Sequence, residues 1–457
     1  MKKTILLFTA ILMLYSAQAQ HADKCGTNEA WEMLKAKDPD AQLRMEQLEQ
    51  YTKTFIAEHP QVNYKRDNSA NASRGQRGTI VTIPVVVHVI HHGEAYGTGP
   101  NITDDQIYSQ IDALNADFRL LNSDSLPDTH PFWTYTMDCN IEFCLAQRDP
   151  NGNATTGIVR VNSSMPYFTA QEFNQGNMRY TQYGGDDNWD PIHYLNVWTV
   201  KLEPGSSALG IGTFPSNLAS DPDHDGVGCR YDAFGTVGPD LISTNALGRT
   251  MTHEVGHWLN LKHIWGDDSP QADQNGTCDA GECDGTDECG DTPPACEPNY
   301  GCTQSFPFNA FNPCGSDADG EMYMNFMDYG DDPCIVMFTY NQYERTFATL
   351  SGPRVGILSS QGCQAPTAVA NVSAENNSVQ VSPNPSKGNF SVHFSHEESE
   401  QLSQLNVTND LGMTVASIAP SKADSYGINL GYLPNGIYFL HATVNGKTIS
   451  KKLILAK

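Results

Sequence analysis

Residues 79–90, TIVTIPVVVHVI, are a β-branched apolar run with the character of a buried strand. Thr103 and Gln106 have the spacing of a capping box, and Ile107, Ile111, Leu114 and Phe118 recur on one face of the helix that follows. A strand followed by a long backing helix predicts an α/β body. Tyr194–Val200 reads as another strand, and Leu209, Gly210, Ile211, Gly212 and Thr213 as an edge strand. The glycines of that edge either let a second backbone come close or mark a bulge. Near the end, Phe390–Phe394, Gln404–Thr408, Gly436–Val444 and Ile449–Leu455 alternate between turns, which predicts a small β-sandwich.

The ends and the composition add a setting. Lys2 and Lys3 precede an apolar run from Ile5 to Tyr15 and then Ala17-Gln18-Ala19, the pattern of a secretory signal peptide cleaved after Ala19. No later stretch approaches the roughly 18 apolar residues that span a bilayer, so no transmembrane segment is expected. At 457 residues the chain predicts about three domains. They read as a signal peptide at 1–19, a polar propeptide at 20–77 ending in NSANASRGQRG, a body at 78–363, a linker at 364–378 and the sandwich at 379–457. Twelve cysteines in an exported chain predict disulfides, and setting Cys25 aside leaves an odd number, so at least one further thiol should be free or paired outside this chain. Cys139 and Cys144 are close neighbours, and one of them reads as merely buried.

The net charge of −26 is concentrated. From His263 to Cys334 there are sixteen Asp plus Glu and no Lys or Arg, a run that repels itself unless cations hold it. Calcium is the expected guest. Asp221, Asp223 and Asp225, with Gly226 and with Asp232 at the twelfth place, have the spacing of a calcium loop, and a solvated acidic turn is the rival reading. The absence of a basic stripe argues against a nucleic-acid partner.

The candidate chemistry lies in HEVGHWLNLKH at 253–263. His253 and His257 leave one face of a helix a turn apart and can share a metal. Glu254 is one residue round, beside the open coordination position, where a carboxylate acts as general base towards a zinc-activated water. His263 reaches the same point only if the helix stops after Leu259, and Asn260 is the residue suited to a left-handed turn there. Cys25, remote from the other cysteines and followed by Gly26, offers a thiolate that could fill the open position and silence the enzyme, with an ordinary disulfide as the alternative.

The motif resembles the HExxHxxGxxH of metzincin metallopeptidases, with Asn260 at the Gly position, and NFMDY at 325–329 resembles the Met-turn of the pappalysin (cytophagalysin) family. The similarity runs over roughly residues 79–350 and includes GRTMTHEVGHWL, LKHIWGD, DTP and FTYNQYERT. It implies a catalytic domain with a twisted mixed sheet, a backing helix and an active-site helix, an α/β (α+β) fold. It also implies a hydrophobic floor at Met327, a phenol at Tyr329 that hydrogen-bonds the oxyanion, and a Cys-Gly latency element at Cys25. Residues 209–212 (Leu209, Gly210, Ile211 and Gly212) would line the cleft and pair with an extended protein or peptide substrate. The resemblance further suggests calcium at Asp291 and Thr292, with Asp284 and Asp287 adding carboxylates, and the bridges Cys302-Cys334 and Cys278-Cys314. Members that cut before Arg or Lys use an acidic residue after the Met-turn, which points to Asp331 and Asp332. The final segment, with Ser382-Pro383-Asn384-Pro385, Asp410-Leu411-Gly412 and Pro434-Asn435-Gly436-Ile437-Tyr438, resembles the type A sorting domain of the type IX secretion route. That machinery is then a partner, and the protein is expected in the medium or on the outer-membrane surface. A carbohydrate-binding or adhesive module is the rival for the sandwich. The whole chain reads as a secreted zinc endopeptidase made as a zymogen. A surface adhesin with a structural zinc is the second reading.

Overall fold

A computed structural model of the protein describes residues 23–60, 79–266, 286–302, 319–366, 379–409, 413–445 and 447–457. It divides at Pro366 and Thr367 into two compact units.

The first unit begins with α1 (Thr27–Lys37) and α2 (Ala41–Glu58). Then come β1 (Val81–His91), α3 (Asp104–Phe118), β2 (Ile141–Leu145), β3 (Ile158–Asn162) and the short α4 (Ala170–Asn174). Next are β4 (Leu195–Val200), β5 (Gly210–Gly212), β6 (Val227–Arg230), α5 (Arg249–Trp258) and α6 (Tyr340–Ser351). One mixed sheet runs β2-β1-β4-β6-β5, with β3 pairing the far half of β1. All its pairings are parallel except β5 on β6, which leaves an antiparallel edge. Eight consecutive buried residues in β1 explain its lack of alternation: layers cover both faces of a central parallel strand.

α3 backs the sheet, with Ile107, Leu114 and Phe118 fully buried. Its capping box is only half formed. Thr103 Oγ1 accepts from Gln106 N at 3.1 Å, but the Gln106 amide donates instead to the carbonyls of Tyr231 and Phe234 at 3.0 and 2.8 Å. A buried amide side chain must satisfy its N–H donors, which two carbonyls of the neighbouring loop do and the backbone N–H at the helix end, itself a donor, cannot.

The glycines of β5 serve a close approach. A Cβ on Gly210 would lie 2.5 Å from Glu254 Cγ, and one on Gly212 would lie 2.5 Å from the Glu254 carbonyl oxygen. Only glycine lets the edge strand run this near α5.

Two bridges are present among the described residues. Cys144 joins Cys363 across 219 residues, and Cys302 joins Cys334. Cys25, Cys139, Cys229 and Cys289 are free and buried. The Cys278-Cys314 pairing and Asp284 lie outside the described residues. No described helix is long and apolar enough to cross a membrane.

The second unit contains β7 (Gln380–Ser382), β8 (Asn389–His393), α7 (His396–Gln401), β9 (Leu402–Thr408), β10 (Thr414–Ile418), β11 (Ser425–Asn429), β12 (Gly436–Val444) and β13 (Lys447–Leu455). Two antiparallel sheets, β10-β9-β12-β13 and β11-β8-β7, enclose a core that includes Phe390, Val392, Leu405, Val407, Leu440 and Leu453. It is an all-antiparallel sandwich with one short helix.

Candidate metal centre and active site

α5 carries His253 and His257 on its inner face and ends at Leu259. Asn260 takes φ +70, so the chain reverses and returns His263 to the same point. The three Nε2 atoms form a triangle with edges of 3.1, 3.1 and 3.2 Å. On two of the rings the other nitrogen is committed. Nδ1 of His253 faces the Phe326 carbonyl at 2.7 Å and Nδ1 of His257 that of Leu261 at 2.8 Å, so each ring donates from Nδ1 and turns its Nε2 lone pair inwards. Burial, with His263 a second cause, pushes His253 down to about 3, so the ring is neutral at ordinary pH. Lone pairs converging this closely repel unless a cation stands between them. A tetrahedral zinc with bonds of about 2.0–2.1 Å to nitrogen needs edges of roughly 3.3–3.4 Å, which a small relaxation of this triangle supplies.

A fourth group that could hold a metal is Cys25. Its Sγ and the three histidine nitrogens all lie within 4.8 Å of one another, and all four residues are buried. The thiol arrives on an extended stretch in which Cys25 bridges in parallel to Gly210 at the free edge of β5. Lys24 O accepts from Leu209 N at 2.6 Å, and Gly26 N donates to Gly210 O at 2.9 Å. A Cβ on Gly26 would come close to the amide end of Asn174.

Glu254 stands outside the ligand set. Its Oε2 is 3.3 Å from Cys25 Sγ and 3.3 Å from Thr27 Oγ1. Burial raises its carboxyl to about 8, against the opposing hydrogen bonds of Cys25, Thr27 and Gly212. A cation at the histidines would favour the ionised form. Thr27 itself accepts from Gly212 N at 2.9 Å and so links the N-terminal segment, the edge strand and the acid. Sequence reasoning missed Thr27; its only signal is its place two residues after Cys25.

The Met-turn closes the floor. Met327 is fully buried, and a Cβ on Gly256 would strike its sulfur, so the glycine of HEVGH makes room for it. Tyr329 packs with ring centroids 5.0 Å from His263 and 5.7 Å from His253.

The acidic candidates separate. Asp331 pairs with Lys24 at 3.0 Å. Asp332 is buried and caps α5 instead: its Oδ2 accepts from Leu247 N at 2.8 Å and Arg249 N at 3.2 Å, where a carboxylate meets the positive end of the helix. Asp287 and Thr292 are together, Thr292 Oγ1 lying 2.9 and 2.8 Å from the two carboxyl oxygens, and burial raises Asp287 to about 7. Asp291 accepts from Thr339 Oγ1 and Asn341 N at the start of α6.

Within the Asp221, Asp223 and Asp225 loop, Asp225 departs from the calcium expectation. Asp221 and Asp223 are exposed, whereas Asp225 turns inwards to Arg354 at 2.7 and 2.9 Å and to Trp258 Nε1 at 2.9 Å. A carboxylate whose oxygens are held by a guanidinium is not available to calcium. Arg354 also donates to the Trp258 carbonyl at 2.7 Å, so this pair braces the end of the helix next to His257. Asp225→Asn is expected to leave the guanidinium without its counter-charge and to cost about 3–5 kcal/mol, read as a lower denaturant midpoint. An unchanged midpoint would remove the brace.

Three imidazoles from a helix and its exit, a carboxylate beside them and a methionine beneath define a metallopeptidase of the metzincin class. The family profile described as pregnancy-associated plasma protein-A matches residues 180–351, and that of the secretion system C-terminal sorting domain matches residues 380–456. An extracellular metalloprotease of Colletotrichum graminicola is 36% identical over 155 residues, 33% of this chain and 47% of that protein, so the match spans about half of that relative. One from Arthroderma otae is 25% identical over 276 residues, 60% of this chain and 80% of its own length. Among solved structures, a Tannerella forsythia promirolysin mutant is 36% identical, with a TM-score of 0.59 over 74% of this chain and 97% of its own. Mature mirolysin of Tannerella forsythia, in complex with a cleaved peptide, is 39% identical, with a TM-score of 0.55 over 64% of this chain and all of its own. The chain belongs to the pappalysin family of metallopeptidases, and it ends in a secretion-system sorting domain. It is a secreted metalloendopeptidase, and the family implies zinc. This favours the peptidase over the adhesin and a sorting role over a carbohydrate-binding one.

Proposed function

We propose that this protein is a latent zinc endopeptidase in which Cys25 blocks the metal and Glu254 is the general base. The observation that carries the reading is the convergence of three Nε2 atoms and one thiol on a common point, with an uncoordinated carboxyl 3.3 Å from the thiol. His253, His257 and His263 would hold the ion. When bound, zinc polarises a peptide carbonyl and acidifies water. Substrate takes over the backbone positions at Leu209 and Gly210 that Lys24 and Gly26 occupy in the latent chain. Glu254 accepts the proton of the attacking water on the oxygen freed from Cys25 and Thr27, and delivers it to the leaving amine. Tyr329, packed on His263, donates a hydrogen bond to the oxyanion. Residues 20–77 act as the propeptide, and the sorting domain addresses the enzyme to the type IX machinery.

Metal removal tests this directly. A zinc chelator is expected to abolish casein hydrolysis by the processed enzyme, with recovery on adding zinc. A calcium-selective chelator should leave zinc in place and lower the melting temperature, because Asp287, Asp291 and Thr292 then lose the cation that holds the acidic loop. Hydrolysis that survives zinc removal would refute the first assignment, and an unmoved melting temperature the second.

The reading extends to specificity. A basic side chain, Lys24, already meets Asp331 beside the cleft at 3.0 Å. Cleavage-site profiles of digested peptides should therefore be enriched in Arg or Lys directly after the scissile bond, and Asp331→Asn should weaken that enrichment. A profile without basic enrichment there would reject the assignment.

A further inference from the structure

Arg345 of α6 is fully buried beneath the turn that separates the second and third histidines. Its Nε and Nη2 donate to the Asn260 carbonyl at 3.2 and 3.0 Å. Its Nη1 and Nη2 donate to Glu49 Oε2 and Oε1 at 2.9 and 2.6 Å. The planar fork of a guanidinium serves both partners at once, which a single ammonium cannot do. Glu49 lies on α2, within the N-terminal segment, 296 residues away in sequence. Burial raises its carboxyl, yet the hydrogen bonds and charge of Arg345 hold it below the usual range, so it stays ionised.

The turn needs this support. Asn260 is a non-glycine residue at φ +70 and is fully buried. Such a conformation persists where its surroundings hold it. Its Nδ2 points at α2 as well, 3.4 Å from both Glu49 Oε1 and Thr52 Oγ1. The side chain of the residue that redirects the chain towards His263 thus meets α2 directly, and its carbonyl is linked to α2 through Arg345.

We infer that α2 is an assembly template for the metal centre: Glu49, acting through Arg345, fixes the Asn260 turn that aims His263. Arg345 and Glu49 are positioning residues and touch neither metal nor substrate. This task is separate from the latch, since Cys25 precedes α1 and Glu49 sits in the middle of α2. It rests on His253, His257 and His263 being zinc ligands.

The test is the rate at which the uncleaved full chain surrenders zinc to excess chelator, well below its melting temperature. Glu49→Gln keeps the shape of the side chain and removes its charge. Arg345→Lys keeps the ion pair and loses the fork. Both are expected to release zinc at least about tenfold faster than the parent, whereas Glu46→Gln, on the exposed face of the same helix, leaves the rate unchanged. Parental rates in both variants would overturn the template, as would a lowered melting temperature with unaltered zinc release, which means anchoring of the segment and nothing more. Should Glu49→Gln yield no soluble chain, Arg345→Lys decides by the same criterion. A parent chain that carries no zinc would sink the ligand assignment itself.

Discussion

Alanine in place of Glu254 is expected to lower casein hydrolysis by the processed enzyme by at least about 10²–10⁴-fold, the range that a positioned proton acceptor contributes. Zinc content and secretion should not change. The carboxyl is one residue round α5 from His253 and points past the ligand set, so its loss removes no donor to the metal. In the latent chain burial raises its carboxyl to about 8, so there the ionised group adds no stability to the fold. Such an acid is retained for chemistry at a price in stability. Replacing it should leave the melting temperature unchanged or slightly higher. Kinetic assay and metal analysis on the same preparation check all three outcomes. Equal hydrolysis in parent and variant would remove Glu254 from the mechanism.

The second large effect is expected at Cys25. Its sulfur lies within 4.8 Å of the three histidine nitrogens and 3.3 Å from Glu254, so on the proposed reading one residue blocks both the metal and the base. Cys25→Ala removes the strong thiolate ligand and leaves a neighbouring backbone strand that holds the cleft only through a few hydrogen bonds, each worth about 1 kcal/mol. Uncleaved Cys25→Ala chains should therefore hydrolyse casein at a rate within about tenfold of the processed enzyme, where the parent is silent. Comparing equal amounts before and after processing measures this. A silent variant would show that the backbone pairing at Leu209 and Gly210 and the Thr27 contact suffice for latency.

These expectations use residues whose roles could be read locally. Both the ligands and the base fall within eleven consecutive residues, and helix geometry converts their spacing directly into a shared point. β1 was legible for a similar reason, because burial on both faces writes an uninterrupted apolar run. What the sequence hid is long-range charge. Asp225 has the spacing of a calcium loop or a solvated acidic turn and Asp332 that of a specificity residue, since an acidic residue in an acidic loop looks the same whether it faces solvent, a cation, a guanidinium or a helix end. Arg354 meets Asp225 from 129 residues away, and Arg345 meets Glu49 from 296. No periodicity links such partners. The same holds for Cys144 and Cys363, while β3 and β6, five and four residues long, are too short to show a pattern. The Gln106 amide illustrates the smaller errors. Its spacing from Thr103 suits a capping box, but two carbonyls brought near by the tertiary fold claim it first.

The latent full-length protein offers the most direct measurement. X-ray absorption at the zinc edge should show one zinc per chain with three nitrogen neighbours at about 2.0–2.1 Å and one sulfur at about 2.3 Å. A shell without sulfur, with fewer than three nitrogens, or a chain without zinc would contradict the convergence of His253, His257, His263 and Cys25 on one ion.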